Sequence, residues 1–201
     1  MKEILDLINS ETYFMIDIDG VCIDTEQRIA KIAQKIGWKE AFKSIDWHEH
    51  ISSSKQIHNS IDILREVQQK LKRIQLLTQN HTSEEEFEKI EYFRKKGVCI
   101  PIVSVPPKVS KSIVVPPSFY DGNVVLIDDK EKNVIEWNNA GGIGVFFTDA
   151  DVSDNLTSVK SLEFLKKIKW NKNIKIVNYF SKFYYVNIWY ISFWIIVIKL
   201  D

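Results

Sequence analysis

Residues 14–25 read FMIDIDGVCIDT, and this acidic stretch is the strongest signal in the chain. An apolar run ends at Asp17, and Asp19 and Gly20 follow it. Apolar residues that lead directly into acids are typical of a buried strand whose carboxyl end opens onto a site. Because two close carboxylates repel each other, such a pair is typical of a site that binds a cation or carries out phosphate chemistry. Because acidic pairs also occur in solvated turns, the stretch alone does not define a function.

Three further apolar runs end in polar residues, in a fixed order along the chain. The polar residues that follow them are Thr78, then Lys108 and Lys111, then Asp128 and Asp129. Segments with helical patterns separate the runs, and a fifth apolar run lies at 143–147. This alternation predicts an α/β fold, with a Rossmann-like parallel sheet of about five strands and helices on both faces. The polar residues at the carboxyl ends of the strands then converge on one crevice.

The residue types at these strand ends favour phosphate chemistry. A group of carboxylates makes a hard oxygen site of the kind that Mg²⁺ prefers. A lysine supplies a point charge for phosphate, and the hydroxyl of Thr78 can donate to a phosphate oxygen. A carboxylate such as Asp17 can attack phosphorus to form an aspartyl-phosphate.

The ordered set resembles the haloacid dehalogenase-like (HAD) hydrolases, whose four motifs are D-x-D, a Ser or Thr, a Lys, and a closing acidic pair. The resemblance implies a hydrolase domain at 1–150, with a minimal helical cap near 25–60. At the start of that segment, Asp24 or Thr25 can be the N-cap residue of a helix that ends at Gly37. Residues 151–201 are predicted to form a C-terminal extension, which the resemblance does not cover.

The resemblance also implies a role for each matching residue. Asp17 is the nucleophile and a Mg²⁺ ligand. Asp19 is the general acid and then the base, and it binds Mg²⁺ through its backbone carbonyl. Thr78 and one lysine hold the phosphoryl group. Asp128 is expected to be the metal ligand of the closing pair, with Asp129 beside it, either behind the direct ligands or as a ligand that reaches the metal through a water. An acid at position 19 allows protonation of an ester oxygen. HAD-like dehalogenases and P-type ATPases lack an acid there, so the resemblance favours a phosphatase, or less often a phosphotransferase, over those classes.

Two lysines compete for the third motif. Lys108 lies nearer the strand, whereas Lys111 lies where a helix can begin, and the interpretation favours Lys111. Lys108 is then assigned to substrate binding, together with Gly20, Gln79 and Asn80. Trp47 is a further candidate for substrate binding, through stacking on a base, and its alternative is a place in the core.

The stretch VVLIDDKEKNVIEWNNAGGIGVFF, at 124–147, resembles a segment of small bacterial and phage HAD proteins grouped with the pyrimidine 5′-deoxynucleotidases. Asn133 and Trp137 fit that segment. A structural role, packed on the sheet, is favoured for Trp137, whereas for Asn133 a structural place in the first helical turn is one alternative. A nucleotide is therefore the favoured small phosphorylated substrate. The alternatives are a general small-molecule or polynucleotide-end phosphatase, or a non-catalytic phosphate-binding, membrane-tethered protein. The non-catalytic alternative gains if the motif lysine lies far from Asp17.

Composition limits the class of partner. Lys plus Arg and Asp plus Glu both number 27, so the chain has no net charge, which argues against general nucleic-acid binding. Its two cysteines are too few for a disulfide framework. They predict a reducing compartment, and no signal peptide is apparent, so a cytoplasmic location is expected.

Two local patterns complete the predictions. A helix after 83 is expected to begin with a capping box, Ser83 and Glu86, and to bury Phe87, Ile90 and Phe93 on one face. Further on, residues 160–175 are rich in lysine, and 183–198 is an uncharged stretch rich in aromatic residues and isoleucine. This tail is interpreted in three ways: a packed strand or helix, a membrane-associated segment, or a non-native extension.

Overall fold

A computed structural model describes residues 4–9, 11–71, 73–115, 123–150 and 156–168. The three interpretations of the uncharged tail therefore concern residues that lie outside the described ones. Among the described residues, no helix has the length and apolar character needed to cross a membrane.

The described chain folds as an α/β domain around one sheet. Its strands are β1 (Tyr13–Asp17), β2 (Ile23–Asp24), β3 (Lys55–Gln56), β4 (Ile74–Gln79), β5 (Ile102–Val105), β6 (Val124–Asp128), β7 (Ile143–Phe147) and β8 (Thr157–Val159). Its helices are α1 (Ile4–Leu7), α2 (Glu26–Ile36), α3 (Trp38–Ser44), α4 (Trp47–Ser52), α5 (Ser60–Val67), α6 (Ser83–Lys95), α7 (Glu131–Asn139) and α8 (Phe164–Lys167), with a 3₁₀ helix at Lys111–Val114.

The central sheet has six strands in the order β5-β4-β1-β6-β7-β8, and every neighbouring pair is parallel. The predicted α/β class is confirmed, with six strands instead of about five. The sixth strand, β8, lies beyond residue 150, where the prediction ended the hydrolase domain. The sheet domain therefore continues past the expected boundary.

Side chains on β1 alternate between two hydrophobic layers, as the two-residue period of a strand requires. Phe14 and Ile16 pack in the larger layer, which includes Leu64 of α5. Met15 points to the opposite layer, which includes Trp137 of α7. Helices therefore cover both faces of the sheet, and β1 is buried between them.

The segment predicted to form the cap is helical, and its two ends lie side by side. Strands β2 and β3 form a small antiparallel pair, in which Ile23 lies opposite Gln56. This pair brings together the two ends of the segment that carries α2, α3 and α4. As predicted, α2 ends at Gly37, which adopts a φ of +82°.

Helix α6 buries a different face from the predicted one. Phe87 is 59% exposed and Ile90 is 41% exposed. Phe93 is buried as expected, but its buried neighbours include Glu85 and Lys89. Apolar periodicity fails here because two charged side chains occupy the inward face.

The start of α6 also lies one residue earlier than predicted. Thr82 is the N-cap, and its hydroxyl accepts a hydrogen bond from the backbone N–H of Glu85. The predicted capping box of Ser83 and Glu86 is therefore wrong by one residue. Glu85, and not Glu86, is the glutamate three residues after the N-cap.

Candidate active site

Three neighbouring strands bring the predicted acids to one edge of the sheet. Strand β1 lies between β4 and β6. The register pairs Asp17 with Leu77, next to Thr78, and pairs Ile16 with Ile127, next to Asp128. The three polar residues therefore meet at the carboxyl ends of the central strands, as the sequence predicts.

Lys111 joins the two buried acids. Its ammonium lies 2.7 Å from Asp17 Oδ1 and 2.7 Å from Asp128 Oδ2, and its side chain is 3% exposed. The 3₁₀ helix that begins at Lys111 delivers this side chain, with Ser110 as its N-cap. Lys108 instead lies exposed in the preceding loop, with a φ of +69°. Of the two candidate lysines, the structure brings only Lys111 to the acids.

Asp128 is oriented by groups from the start of α7. The side-chain amide of Asn133 donates to both carboxylate oxygens at 3.0 Å. The backbone N–H of Lys130 donates to Oδ1 at 2.8 Å. Asn133 therefore orients a predicted metal ligand from its place in the first turn of α7. Trp137 does have the predicted structural role, since its indole N–H donates to the carbonyl of Val124.

Three carboxylates form a group that can hold a cation. One oxygen each of Asp17, Asp128 and Asp129 lies within 4.8 Å of the others. Asp129 Oδ1 is buried and has no hydrogen-bond partner among the described residues. The three carboxylates carry three negative charges when all are ionised, and the ammonium of Lys111 compensates one of them. A divalent cation with a preference for oxygen ligands matches both this charge and this donor set.

The acid–base properties of the group agree with a cation site. Burial raises the pKa of Asp17 well above its ordinary value, since it outweighs the lowering by Lys111, and neighbouring carboxylates raise it further. Burial likewise raises the pKa of Asp129 to about 7, against a lowering by Lys130. A nearby positive charge would therefore favour the ionised form of both carboxyl groups.

Gly20 allows Asp129 to approach the loop after β1. Its φ is +77°, a left-handed conformation that side chains with a Cβ seldom adopt. A Cβ on this residue would lie 2.1 Å from Asp129 Oδ2. Gly20, predicted to bind substrate, therefore leaves room for a predicted metal ligand.

Asp19 is held at both carboxylate oxygens. Thr25 donates to Oδ1 at 2.8 Å, and Thr78 donates to Oδ2 at 2.8 Å. The ammonium of Lys89 also lies 2.7 Å from Oδ2. Burial alone would raise the pKa of Asp19, but Lys89 and these hydrogen bonds outweigh it and hold the pKa below its ordinary value.

The Asp19 carboxylate lies outside the group of three carboxylates that can hold a cation. Its predicted contact with Mg²⁺ is through the backbone carbonyl, and this stays a prediction. Thr25 occupies the N-cap position of α2, as expected, yet it makes no side-chain cap hydrogen bond there. Its hydroxyl serves Asp19 instead.

Other predicted substrate-binding residues have partners within the protein. Gln79 donates to the carbonyl of Val109 at 2.6 Å, and Asn80 donates to Ser104 at 2.8 Å. The prediction that Trp47 stacks on a base is corrected, because its indole is 2% exposed and packs in the core.

The prediction from sequence missed the residues that hold the predicted acids in place. They are Thr25, Glu85, Lys89 and Asn133. Asn133 carried a usable signal, since it follows Asp128 by five residues in the first turn of a helix. Lys89 carried none, because its pattern is that of an ordinary solvated helix position.

Comparison with known proteins identifies the fold. No protein-family model matches the chain, and no curated protein matches its sequence. Among solved structures, a haloacid dehalogenase-like family hydrolase from Streptococcus pneumoniae has a TM-score of 0.52 at 14% identity, over 81% of this chain and 99% of that chain. A dehalogenase with an intermediate complex has a TM-score of 0.56 at 10% identity, over 82% and 100% of the two chains.

A haloacid dehalogenase-like family hydrolase from Xanthomonas campestris has a TM-score of 0.52 at 13% identity, over 75% of this chain and 90% of that chain. At these identities the similarity establishes the fold alone. The chain has the fold of the haloacid dehalogenase-like hydrolase superfamily, and the resemblance predicted from sequence is confirmed at that level. The narrower grouping with 5′-deoxynucleotidases stays a prediction.

Proposed function

We propose that this protein is a Mg²⁺-dependent phosphate monoester hydrolase that acts through an aspartyl-phosphate on Asp17. The observation that carries the proposal is the position of the Lys111 ammonium, 2.7 Å from both Asp17 and Asp128. The proposed nucleophile, a buried ammonium and the proposed metal ligand thus share one edge of the sheet. This proximity counts against the non-catalytic alternative, which a remote lysine would have favoured.

In the first step, a carboxylate oxygen of Asp17 bonds to phosphorus while the bond from phosphorus to the ester oxygen breaks. The backbone N–H of Ile18 donates to Asp17 Oδ1 at 2.8 Å, so the carboxylate is held in one orientation. Lys111 offsets negative charge on the phosphoryl group, and Thr78 donates a hydrogen bond to it. When bound, Mg²⁺ supplies further positive charge at Asp17, Asp128 and Asp129.

Asp19 gives a proton to the ester oxygen as that oxygen leaves. Lys89 and the two threonines keep Asp19 ionised in the structure. A phosphate dianion beside it favours the protonated form, because like charges repel, and competes for the hydroxyl proton of Thr78. In the second step, ionised Asp19 takes a proton from water, the water oxygen bonds to phosphorus, and the bond to Asp17 breaks to release phosphate.

A nucleotide is the substrate class we favour, on the resemblance of segment 124–147. Since Trp47 is a core residue, base stacking on this side chain does not support that choice. A substrate panel must therefore contain nucleoside 5′-monophosphates, a sugar phosphate and an aryl phosphate. It should also include 2-chloropropionate, because one solved neighbour is a dehalogenase.

The test measures phosphate and chloride release by the full-length chain, with Mg²⁺ or with EDTA. We expect Mg²⁺-dependent phosphate release that falls by about 10³-fold or more in Asp17→Asn. Asp62→Asn makes the same chemical change at a side chain that is 49% exposed, and it should retain activity. Acid-quenched protein should carry phosphate on the peptide that contains Asp17. Turnover that persists in Asp17→Asn, or chloride release without phosphate release, would overturn the proposal.

A further inference from the structure

Lys89 is a buried lysine that belongs to none of the four predicted motifs. Its side chain is fully buried, and its ammonium lies 2.7 Å from Asp19 Oδ2 and 3.0 Å from Thr78 Oγ1. It also lies 2.8 Å from Asn80 Oδ1 and 2.7 Å from Glu85 Oε1. A buried ion pair is often no more stable than apolar side chains of similar volume. Stability alone therefore does not explain a charged residue at this position.

The contact with Thr78 determines where the hydroxyl proton of that residue points. A hydroxyl has one proton and two lone pairs. Because Lys89 donates to Thr78 Oγ1, the Thr78 proton must point away from the ammonium, and it points to Asp19 Oδ2 at 2.8 Å. Lys89 thus makes Thr78 a donor toward the side of the site where the phosphoryl group is expected.

The contact with Asp19 fixes its carboxylate. Lys89 and Thr78 share Oδ2, while Thr25 holds Oδ1. With both oxygens bound, the carboxylate has one preferred rotation about its terminal bond. This rotation places Asp19 next to Thr78, at the same edge of the sheet as the nucleophile.

Helix α6 anchors the ammonium from behind. Glu85 lies one turn before Lys89, is 5% exposed, and binds the ammonium through Oε1. Its other oxygen, Oε2, accepts from the backbone N–H of His81 at 2.7 Å. Thr82 caps the helix just before this turn. Glu85 thus links the Lys89 ammonium to the loop that follows Thr78, through the backbone N–H of His81.

We propose that Lys89 is a positioning residue for phosphoryl transfer, which holds the Asp19 carboxylate and the Thr78 hydroxyl in one hydrogen-bonded arrangement. The inference rests on the proposed function. Lys89 itself forms no bond to the substrate, and it acts through the two residues that do. Loss of Lys89 should therefore damage most the reactions that need a well-placed Asp19.

The test compares two phosphate esters. An alkyl phosphate needs a proton on its leaving oxygen, whereas 2,4-dinitrophenyl phosphate releases a stable anion and needs none. The values of kcat/KM report steps up to formation of the aspartyl-phosphate, so water attack does not enter. The ratio of kcat/KM for the alkyl ester to that for the aryl ester then measures the contribution of Asp19.

The variant is Lys89→Met with Glu85→Gln, because removal of both charges leaves no unpaired Glu85 in the interior. Lys95→Met with Glu84→Gln is the matched control, since it makes the same two chemical changes at exposed positions of the same helix and keeps both Lys89 and Glu85. We expect the ratio to fall by about tenfold or more in the double variant and to be unchanged in the control. In an Asp19→Asn background, the double variant should lower the ratio no further.

The outcomes separate the two proposals. An active wild-type protein whose ratio is unchanged in the double variant overturns the role of Lys89 and leaves the proposed function standing. A wild-type protein that cleaves neither ester overturns both. A crystal structure of the wild-type chain with tungstate tests the role without any variant. Thr78 should contact the anion while Lys89 remains on Thr78 and Asp19, and a Lys89 turned away from both would refute the role.

Discussion

Replacement of Lys111 by methionine tests the charge balance of the site. The ammonium is 3% exposed and pairs with both Asp17 and Asp128, so its loss leaves two buried carboxylates without it. Removal of one partner from a buried ion pair costs about 3–5 kcal/mol. For a domain of this size, that change lowers the melting temperature by roughly 6–20 °C. We expect Lys111→Met to show this loss at pH 8 in EDTA.

The loss should depend on pH with a definite sign. Burial already raises the pKa of Asp17 well above its ordinary value, and removal of Lys111 raises it further. The folded state then keeps a proton that the unfolded state releases as the pH rises. The deficit in unfolding free energy is therefore smallest near the ordinary pKa of aspartate and grows with pH. Mg²⁺ should recover part of it, because it binds the folded carboxylates.

The assay is thermal unfolding of the full-length chain between pH 5 and pH 8, with EDTA or with Mg²⁺. Lys108→Met is the matched control, because this exposed lysine lies three residues before Lys111, and its loss should change stability by less than about 0.5 kcal/mol. Equal stability of Lys111→Met and wild-type protein at pH 8 in EDTA would refute the reasoning. An equal loss in the control would show that the effect is not specific to the site.

Three further outcomes can be measured by Mg²⁺ titration calorimetry. A Cβ at Gly20 would lie 2.1 Å from Asp129 Oδ2, so Gly20→Ala should weaken Mg²⁺ binding by about tenfold or more, and unchanged affinity would contradict the role of Gly20. Because burial raises the pKa of Asp129 to about 7, affinity should fall by about tenfold or more for each pH unit below 7, and Asp129→Asn should weaken this dependence, leaving the part due to Asp17, whose pKa burial also raises. Asn133→Leu removes two hydrogen bonds to Asp128 and should weaken binding by about 10- to 100-fold, whereas wild-type affinity would show that Asn133 is dispensable.

Much of the candidate site was predictable because its residues directly follow apolar runs. Strands that end at or next to Asp17, Thr78 and Asp128 carry their own signal in the chain, and the order of strands indicates a parallel sheet. Parallel strands then place those ends together, whatever the details of packing. The class of fold and these residues at its center followed from local patterns.

The predictions that failed concern which side chains point into the core. On α6 the apolar residues Phe87 and Ile90 face outward, because Glu85 and Lys89 occupy the inward face. Trp47 was a candidate for stacking on a base, yet it lies in the core. Periodicity assumes that apolar residues face inward, and a buried charged cluster breaks that assumption.

The amino-acid sequence by itself determined an α/β chain with acids, a hydroxyl and a lysine at successive strand ends. The tertiary structure decided between Lys108 and Lys111, because only the path of the chain after β5 places one ammonium between two carboxylates. It also decided that Lys89 holds Asp19, from 70 positions further along the chain. Such contacts depend on how separate elements pack, and no local pattern encodes which charged side chain will find its partner inside the fold.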